Sequence, residues 1–193
     1  MALLVLATAA EGRYERPRSF EAARSGDLAA FERLMRQHER LVLATALRLT
    51  GRIEDARDVS QEVFLKLYRN LEKVQSSEAV SSWLYRVTVN ASYDLTRRRR
   101  PEAPVDDAGP IPSATADPHQ SLSDAERRRA LHLSLRMLSK KERAALVLRD
   151  LEGLSTEEVA RALGSSEATV RSQISKARVK VKAFVERYLG RRK

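Results

Sequence analysis

The residues best suited to chemistry lie close together near the C-terminus, in the segment Leu154-Ser-Thr-Glu-Glu-Val-Ala-Arg-Ala-Leu-Gly-Ser-Ser-Glu-Ala-Thr-Val-Arg-Ser-Gln-Ile-Ser-Lys-Ala-Arg178. Arg171, Lys176 and Arg178 can donate to phosphate oxygens and to guanine edges. Thr169, Ser172, Gln173 and Ser175 interleave neutral donors and acceptors with them. This is chemistry of recognition rather than of bond making. The spacing predicts how these side chains are held. Ser155 and Glu158 form a capping-box pattern, Gly164 suits the left-handed conformation of a tight turn, and Ser166 can cap a second helix. Val159, Ala160, Leu163, Val170 and Ile174 would lock the two helices together and leave the polar set facing outward. A plain αα-hairpin with a solvated basic face shares the composition. The placement of Gly164 and both caps favours a helix-turn-helix whose second helix enters a major groove. From Leu154 to Lys193 there are ten Lys/Arg and four Asp/Glu, which suits a polyanionic partner.

Two further constellations stand upstream. Asp58, Gln61, Glu62 and Leu65 recur at i, i+3, i+4 and i+7, on one helical face offset from the apolar one. In isolation that pattern also describes an ordinary solvated face. The run from Trp83 to Arg100 places Arg86, Asn90, Tyr93 and Arg97 on one stripe, and Arg97 to Arg100 concentrate charge at the helix C-terminus, where the dipole favours it. Aromatics interleaved with Arg and Asn suit unstacked bases and phosphates. Trp83 taken singly fits a core position equally well.

The elements that must position these groups are helical. Among 193 residues there are seven Gly and six Pro, no β-type alternation and no internal repeat. Asp27 can cap a helix that ends near Gly51, a second runs from about Asp55 to Lys73, and a third from about Ser82 to Arg99. A polar loop, residues 75–81, separates the last two. Five of the six prolines (Pro101, Pro104, Pro110, Pro112 and Pro118) fall between 101 and 123 beside four acids and no Lys or Arg, which predicts a flexible linker. Beyond it Leu131, Leu135 and Leu138 suggest one helix, and Ser139 with Glu142 would cap the next. The expected fold is all-α. A flexible extension occupies 1–18, one helical domain 19–100, the Pro-rich linker 101–124, and a second helical domain 125–193.

Composition narrows the function. Basic residues outnumber acidic ones by 36 to 26, a net charge of +10. With no cysteine and three scattered histidines, disulfides and thiol chemistry are excluded and a metal site is not expected. Phosphate-loop, zinc-protease and nucleophile-elbow patterns are absent. No enzyme activity, cofactor or small-molecule substrate is expected. The apolar run Ala2–Ala10 lacks the preceding basic residues of an export signal and is too short to span a bilayer, so the expected location is cytoplasmic.

Taken together, these residues resemble a known family. Asp58-Val-Ser-Gln61-Glu62-Val-Phe64 resembles the D-x-x-Q-E-x-F motif of bacterial sigma factors of the sigma-70 superfamily. Trp83-Leu84-Tyr85-Arg86, with Asn90, Asp94 and the arginine run, resembles the block that follows it, and 154–178 the C-terminal helix-turn-helix. The order, the spacing and the linker are similar to those of the RpoE-like extracytoplasmic-function (ECF) group. Gln173 and Ser175 depart from the basic or larger residues common there, as does Val87-Thr88-Val89 from a run such as Ile-Ala-Arg.

The resemblance implies a subunit that directs core RNA polymerase to promoters. Its first domain (region 2) would bind the β′ clamp helices through Asp58, Gln61, Glu62 and Leu65. The same domain would read the −10 element with Gln75, Ser76, Ser77, Arg86, Asn90, Tyr93, Arg97 and Arg98, the 75–81 loop holding a flipped base. Its second domain (region 4) would read the −35 element with Thr169, Arg171, Ser172, Gln173, Ser175, Lys176 and Arg178, and would touch the β flap. An anti-sigma protein would be a further partner. Two alternatives stay open from the sequence: a helix-turn-helix regulator of the response-regulator output type, and a sigma-like decoy that only binds an anti-sigma protein.

Overall fold

The computed structural model of the chain describes residues 20–98 and 118–190. The expected N-terminal extension, the apolar run Ala2–Ala10, Arg99 and Arg100, and most of the expected linker lie outside the described residues.

Local signals set the helices of the first domain. Asp27 caps α1 (Leu28–Thr50), its Oδ1 accepting from the Ala30 N–H at 3.0 Å. Gly51, at φ 81°, closes that helix and donates back to the Leu47 carbonyl, a left-handed step that a Cβ would oppose. Helix α2 (Ile53–Asn70) carries Glu54 and Asp55 in its first turn, where the helix dipole favours acids, and ends in a 3-10 turn, Leu71–Lys73. Helix α3 spans Ser77–Arg98, so it begins within the segment expected to be a loop. The apolar period runs further back than the composition of 75–81 suggests. Val80 and Leu84, one turn apart, are both fully buried, and Ala79 N–H already donates to the Ser76 carbonyl. Phe20, Leu34, Val42, Val63, Leu67 and Leu84 belong to the core that these three helices share.

The second domain opens with α4 (Pro118–Arg136), which starts inside the segment expected to be linker. Proline is compatible with that start, since the first helical N–H has no intrahelical acceptor. Helix α5 (Lys140–Leu146) has the full capping box: Glu142 N–H donates to Ser139 Oγ, and Ser139 N–H donates to Glu142 Oε2. A wider π turn, Val147–Leu151, follows. Helix α6 (Thr156–Leu163) repeats the box with Ser155 and Glu158 and ends at Gly164, φ 59°. Ser166 Oγ accepts from Thr169 N–H at the start of α7 (Glu167–Gly190). No strand occurs among the described residues.

The domains are packed against each other. Leu49, Tyr85 and Val89 of the first are buried in the core of the second, with Leu135, Leu148 and Val159. Burying a Leu or Val side chain is worth about 1.5–3 kcal/mol, so this contact is a substantial part of the fold. Polar bonds frame it. Arg48 donates to Glu152 in an ion pair, and the Tyr85 hydroxyl donates to the other Glu152 oxygen at 3.3 Å.

Candidate nucleic-acid interface

The capped turn between α6 and α7 holds the recognition set in place. Val159, Val170 and Ile174 are buried, and Leu163 packs against the same cluster, so α7 cannot roll on α6. Thr169, Arg171, Ser172, Ser175, Lys176 and Arg178 are all exposed. Gln173 differs. It is half-buried and its Oε1 is shielded from solvent, so it sits at the edge of the face. Two of the cations have acids within reach: Arg171 pairs with Glu167 at 2.5 Å, and Arg178 makes a two-pronged contact with Asp150 at 2.7 and 2.8 Å. The Asp150 carboxylate raises the guanidinium of Arg178 above its ordinary value, keeping it charged. Exposed pairs of this kind are worth little and exchange readily for phosphate.

Helix α3 carries the second set, which the structure divides. Arg86, Asn90, Arg97 and Arg98 are exposed, with Arg97 also paired to Asp94 at 3.1 Å. Tyr93 is on the same stripe but faces the other domain, its hydroxyl donating to the Lys140 carbonyl at 2.8 Å. Burial pushes that phenol up to about 12, with Arg143 opposing. The contact arises because Tyr93 follows Tyr85 and Val89 at intervals of eight and four, and so borders the stripe that packs on the second domain. Of the residues expected in a loop, Gln75 is exposed and precedes α3, whereas Ser76 and Ser77 are half-buried at its start. Trp83 serves both readings. It packs against the first domain's core and also lines a cleft of ≈ 320 Å³ with Gln75 and Arg86 on one side and Glu158, Arg161 and Ala162 on the other.

The third set is on α2. Asp58, Gln61 and Leu65 are exposed on one face, and Glu62, half-buried, pairs with Lys66 at 2.6 Å. Leu65 is 50% exposed. Sequence reasoning passed over Tyr68, one turn further along and 52% exposed, whose ring meets Phe31 edge-on at 5.1 Å. Continuing the stripe to i+10 would have found it. It also passed over Glu152 and Arg143, which join the domains and carry no local signature. Among the described residues no group of His, Asp or Glu is arranged to hold a metal ion. The three sets present donors, charge and apolar contact on separate faces.

Two segments of the chain match known families. Residues 34–102 match the family model "Sigma-70 region 2", and 128–181 match "Sigma-70, region 4". The chain is 37% identical over 175 residues to the ECF RNA polymerase sigma factor SigM of Mycobacterium tuberculosis (strain ATCC 35801 / TMC 107 / Erdman), covering 88% of this chain and 85% of the relative. It is 36% identical over 170 residues to the ECF RNA polymerase sigma factor SigE of Mycolicibacterium smegmatis, covering 85% of this chain and 66% of that one. Among solved structures, CnrH in complex with the cytosolic domain of CnrY aligns with a TM-score of 0.65 at 27% identity, over 88% of this chain and 96% of that one.

Proposed function

The chain belongs to the ECF RNA polymerase sigma factors, and from that premise we propose which of its faces engage polymerase and which read DNA. As a sigma factor it directs core RNA polymerase to promoters. The α2 face of Asp58, Gln61, Glu62 and Leu65 is the docking surface for the β′ clamp helices, polar enough to remain soluble when free and apolar enough at Leu65 to anchor when bound. Gln75, Ser76 and Ser77 with Arg86 and Asn90 read the opened −10 element. Arg97 and Arg98 hold its phosphates, and Tyr93 joins them once the domains part. The exposed donors of α7, led by Arg171 and Lys176, read the −35 duplex, and the same domain touches the β flap.

One observation carries this reading: a single chain presents both the outward Asp58/Gln61/Glu62/Leu65 face and a free recognition helix. An operator-binding regulator needs only the second, and a decoy needs neither DNA-reading set. The protein works in the cytoplasm with polymerase and has no catalytic site of its own. Among the described residues no helix is long and apolar enough to cross a membrane. An anti-sigma protein is its regulatory partner, as the complex of the similar sigma factor RpoE with the anti-sigma factor NepR from Bartonella quintana suggests.

Run-off transcription with purified core polymerase tests the reading. Transcripts that require both the added chain and intact −35 and −10 elements are expected. DNA binding to a palindromic operator with no polymerase-dependent transcript would reject it.

A further inference from the structure

Arg171 and Arg178 lie on one side of α7, about 10 Å apart along its axis. Their acid partners differ in kind. Glu167, which meets Arg171, is on the same helix and moves with it. Asp150, which meets Arg178, belongs instead to the π turn Val147–Leu151, 28 positions earlier in the chain. The support under Asp150 is firm. Val147 and Leu148 are fully buried, and the neighbouring Arg149 donates from Nη1 to the Leu154 carbonyl at 2.9 Å. The contact itself is a fork: Arg178 Nε donates to Asp150 Oδ2 at 2.8 Å, and Nη2 donates to Oδ1 at 2.7 Å. Among the described residues Nη1 of Arg178 has no partner, and the side chain is still 60% exposed.

We propose that Asp150 is a positioning residue for promoter binding, holding the Arg178 guanidinium so that its Nη1 meets a backbone phosphate at the rim of the −35 major groove. This rests on the assignment of α7 to the −35 duplex given above. Placement selects a phosphate rather than a base. With Arg171 over the base edges, a separation of about 10 Å carries Arg178 to the edge of a groove about 12 Å wide. A guanidinium between a carboxylate and a phosphate keeps charge-assisted hydrogen bonds on both sides. An exposed ion pair is ordinarily given up to an incoming phosphate. This one need not break, because the fork leaves Nη1 outside it. The carboxylate contributes order: a long side chain otherwise loses its rotamer freedom when DNA arrives, and here the folded protein has already imposed that loss. Charge alone gives the opposite sign, since Asp150 repels DNA and neutralising it would tighten binding. Loss of a positioning residue weakens it.

The test is fluorescence anisotropy of the full chain on a −35 duplex over a series of salt concentrations, with Asp150→Asn, Arg178→Ala and the double variant. Asp150→Asn is expected to weaken binding about fivefold at fixed salt. It should also make the plot of log K against log[salt] shallower by about 0.9, the mark of one phosphate contact. Arg178→Ala is expected to do the same, and Asp150→Asn should then cause no further loss. Melting temperatures should hold, since both side chains reach the surface. Should Asp150→Asn melt below the assay temperature, Arg178→Ala decides alone, and a slope equal to that of the wild type overturns the proposal. Binding by Asp150→Asn that equals or exceeds the wild type overturns it too, as does an equal loss in the Arg178→Ala background. If the wild-type chain shows no preference for an intact over a scrambled −35 duplex, the assignment of α7 falls and the proposal with it. If that preference stands and depends on Arg171 while Asp150→Asn changes nothing, the positioning role alone falls.

Discussion

The guanidinium of Arg143 donates to the Leu49 carbonyl at 2.7 Å, across 94 residues of sequence and from one domain to the other. It also donates to the Leu135 and Arg136 carbonyls at 2.8 and 3.2 Å. One planar cation therefore serves the last carbonyls of both α1 and α4, groups that have no intrahelical donor and lie at the negative ends of their helix dipoles. Burial lowers the Arg143 pKa from its ordinary value, so the hydrogen bonds must offset that cost. Lysine cannot reproduce the fork. Arg143→Lys is expected to cost about 1–3 kcal/mol in chemical denaturation, because buried carbonyls lose their donor. A cost below roughly 0.5 kcal/mol, the scatter of surface substitutions, would show that the fork is dispensable.

Polymerase docking is expected to depend on α2. Asp58→Ala combined with Gln61→Ala removes two exposed side chains and no buried contact, so helix content and melting temperature should hold. Affinity for core polymerase should fall by roughly tenfold or more, in the range of interface side chains that matter. An unchanged titration curve would move the docking surface elsewhere.

The recognition helix offers a sharper discrimination. Arg171 is exposed and pairs with Glu167, one turn away on the same helix, so its guanidinium can turn to a guanine edge with little loss. Arg171→Ala is expected to lower the preference for an intact over a scrambled −35 element by roughly 1–3 kcal/mol while core binding is retained. The measurement pairs transcription from both promoters with wild-type and variant protein. If scrambling the element weakens both proteins equally, Arg171 does not read it.

Acid should weaken the fold in two stages. Burial lowers the His132 pKa below its ordinary 6.5, with Arg136 and Arg143 acting the same way and the Gly51 main chain opposing. Unfolded chain then takes up a proton before folded chain does, so stability is full above about 6.5 and declines as pH falls toward the folded value. The second stage belongs to Glu142, held below its ordinary 4.5 chiefly by Lys180 and also by the Ser139 main chain. Its contribution is present above that ordinary value and is lost as pH falls through the lower, folded one. His132→Gln should flatten the upper stage of a stability–pH curve, and Glu142→Gln the lower. A curve from pH 7.5 to 5.5 that is identical for wild type and His132→Gln would contradict the first assignment.

What the sequence made legible was local. The Asp27 cap, the stop at Gly51, both Ser–Glu boxes and the turn at Gly164 are each decided within about one helical turn, so spacing alone finds them. The outward faces of α2 and α7 follow from the same period. Domain contacts do not. Glu152 meets Arg48 across 104 positions, and nothing around either residue marks the other. Tyr93 belongs to the reading stripe by angle and to the contact by neighbourhood, and only the placement of the second domain reveals the latter. The start of α3 was obscured because 75–81 has the composition of a loop, while burial of Val80 decides its conformation.

Both halves of the contact between the domains are on one polypeptide, and 19 residues, 99–117, connect the end of α3 to the start of α4. Tethering over that distance gives each domain an effective concentration of its partner of order millimolar. A contact with a dissociation constant near 1 mM, about −4 kcal/mol and unmeasurable between separate molecules at cellular levels, is then half occupied within the chain. The fraction of molecules with packed domains is consequently independent of how much protein the cell makes. Raising expression multiplies molecules with packed and with separated domains alike, and only a ligand that distinguishes the two can change their ratio.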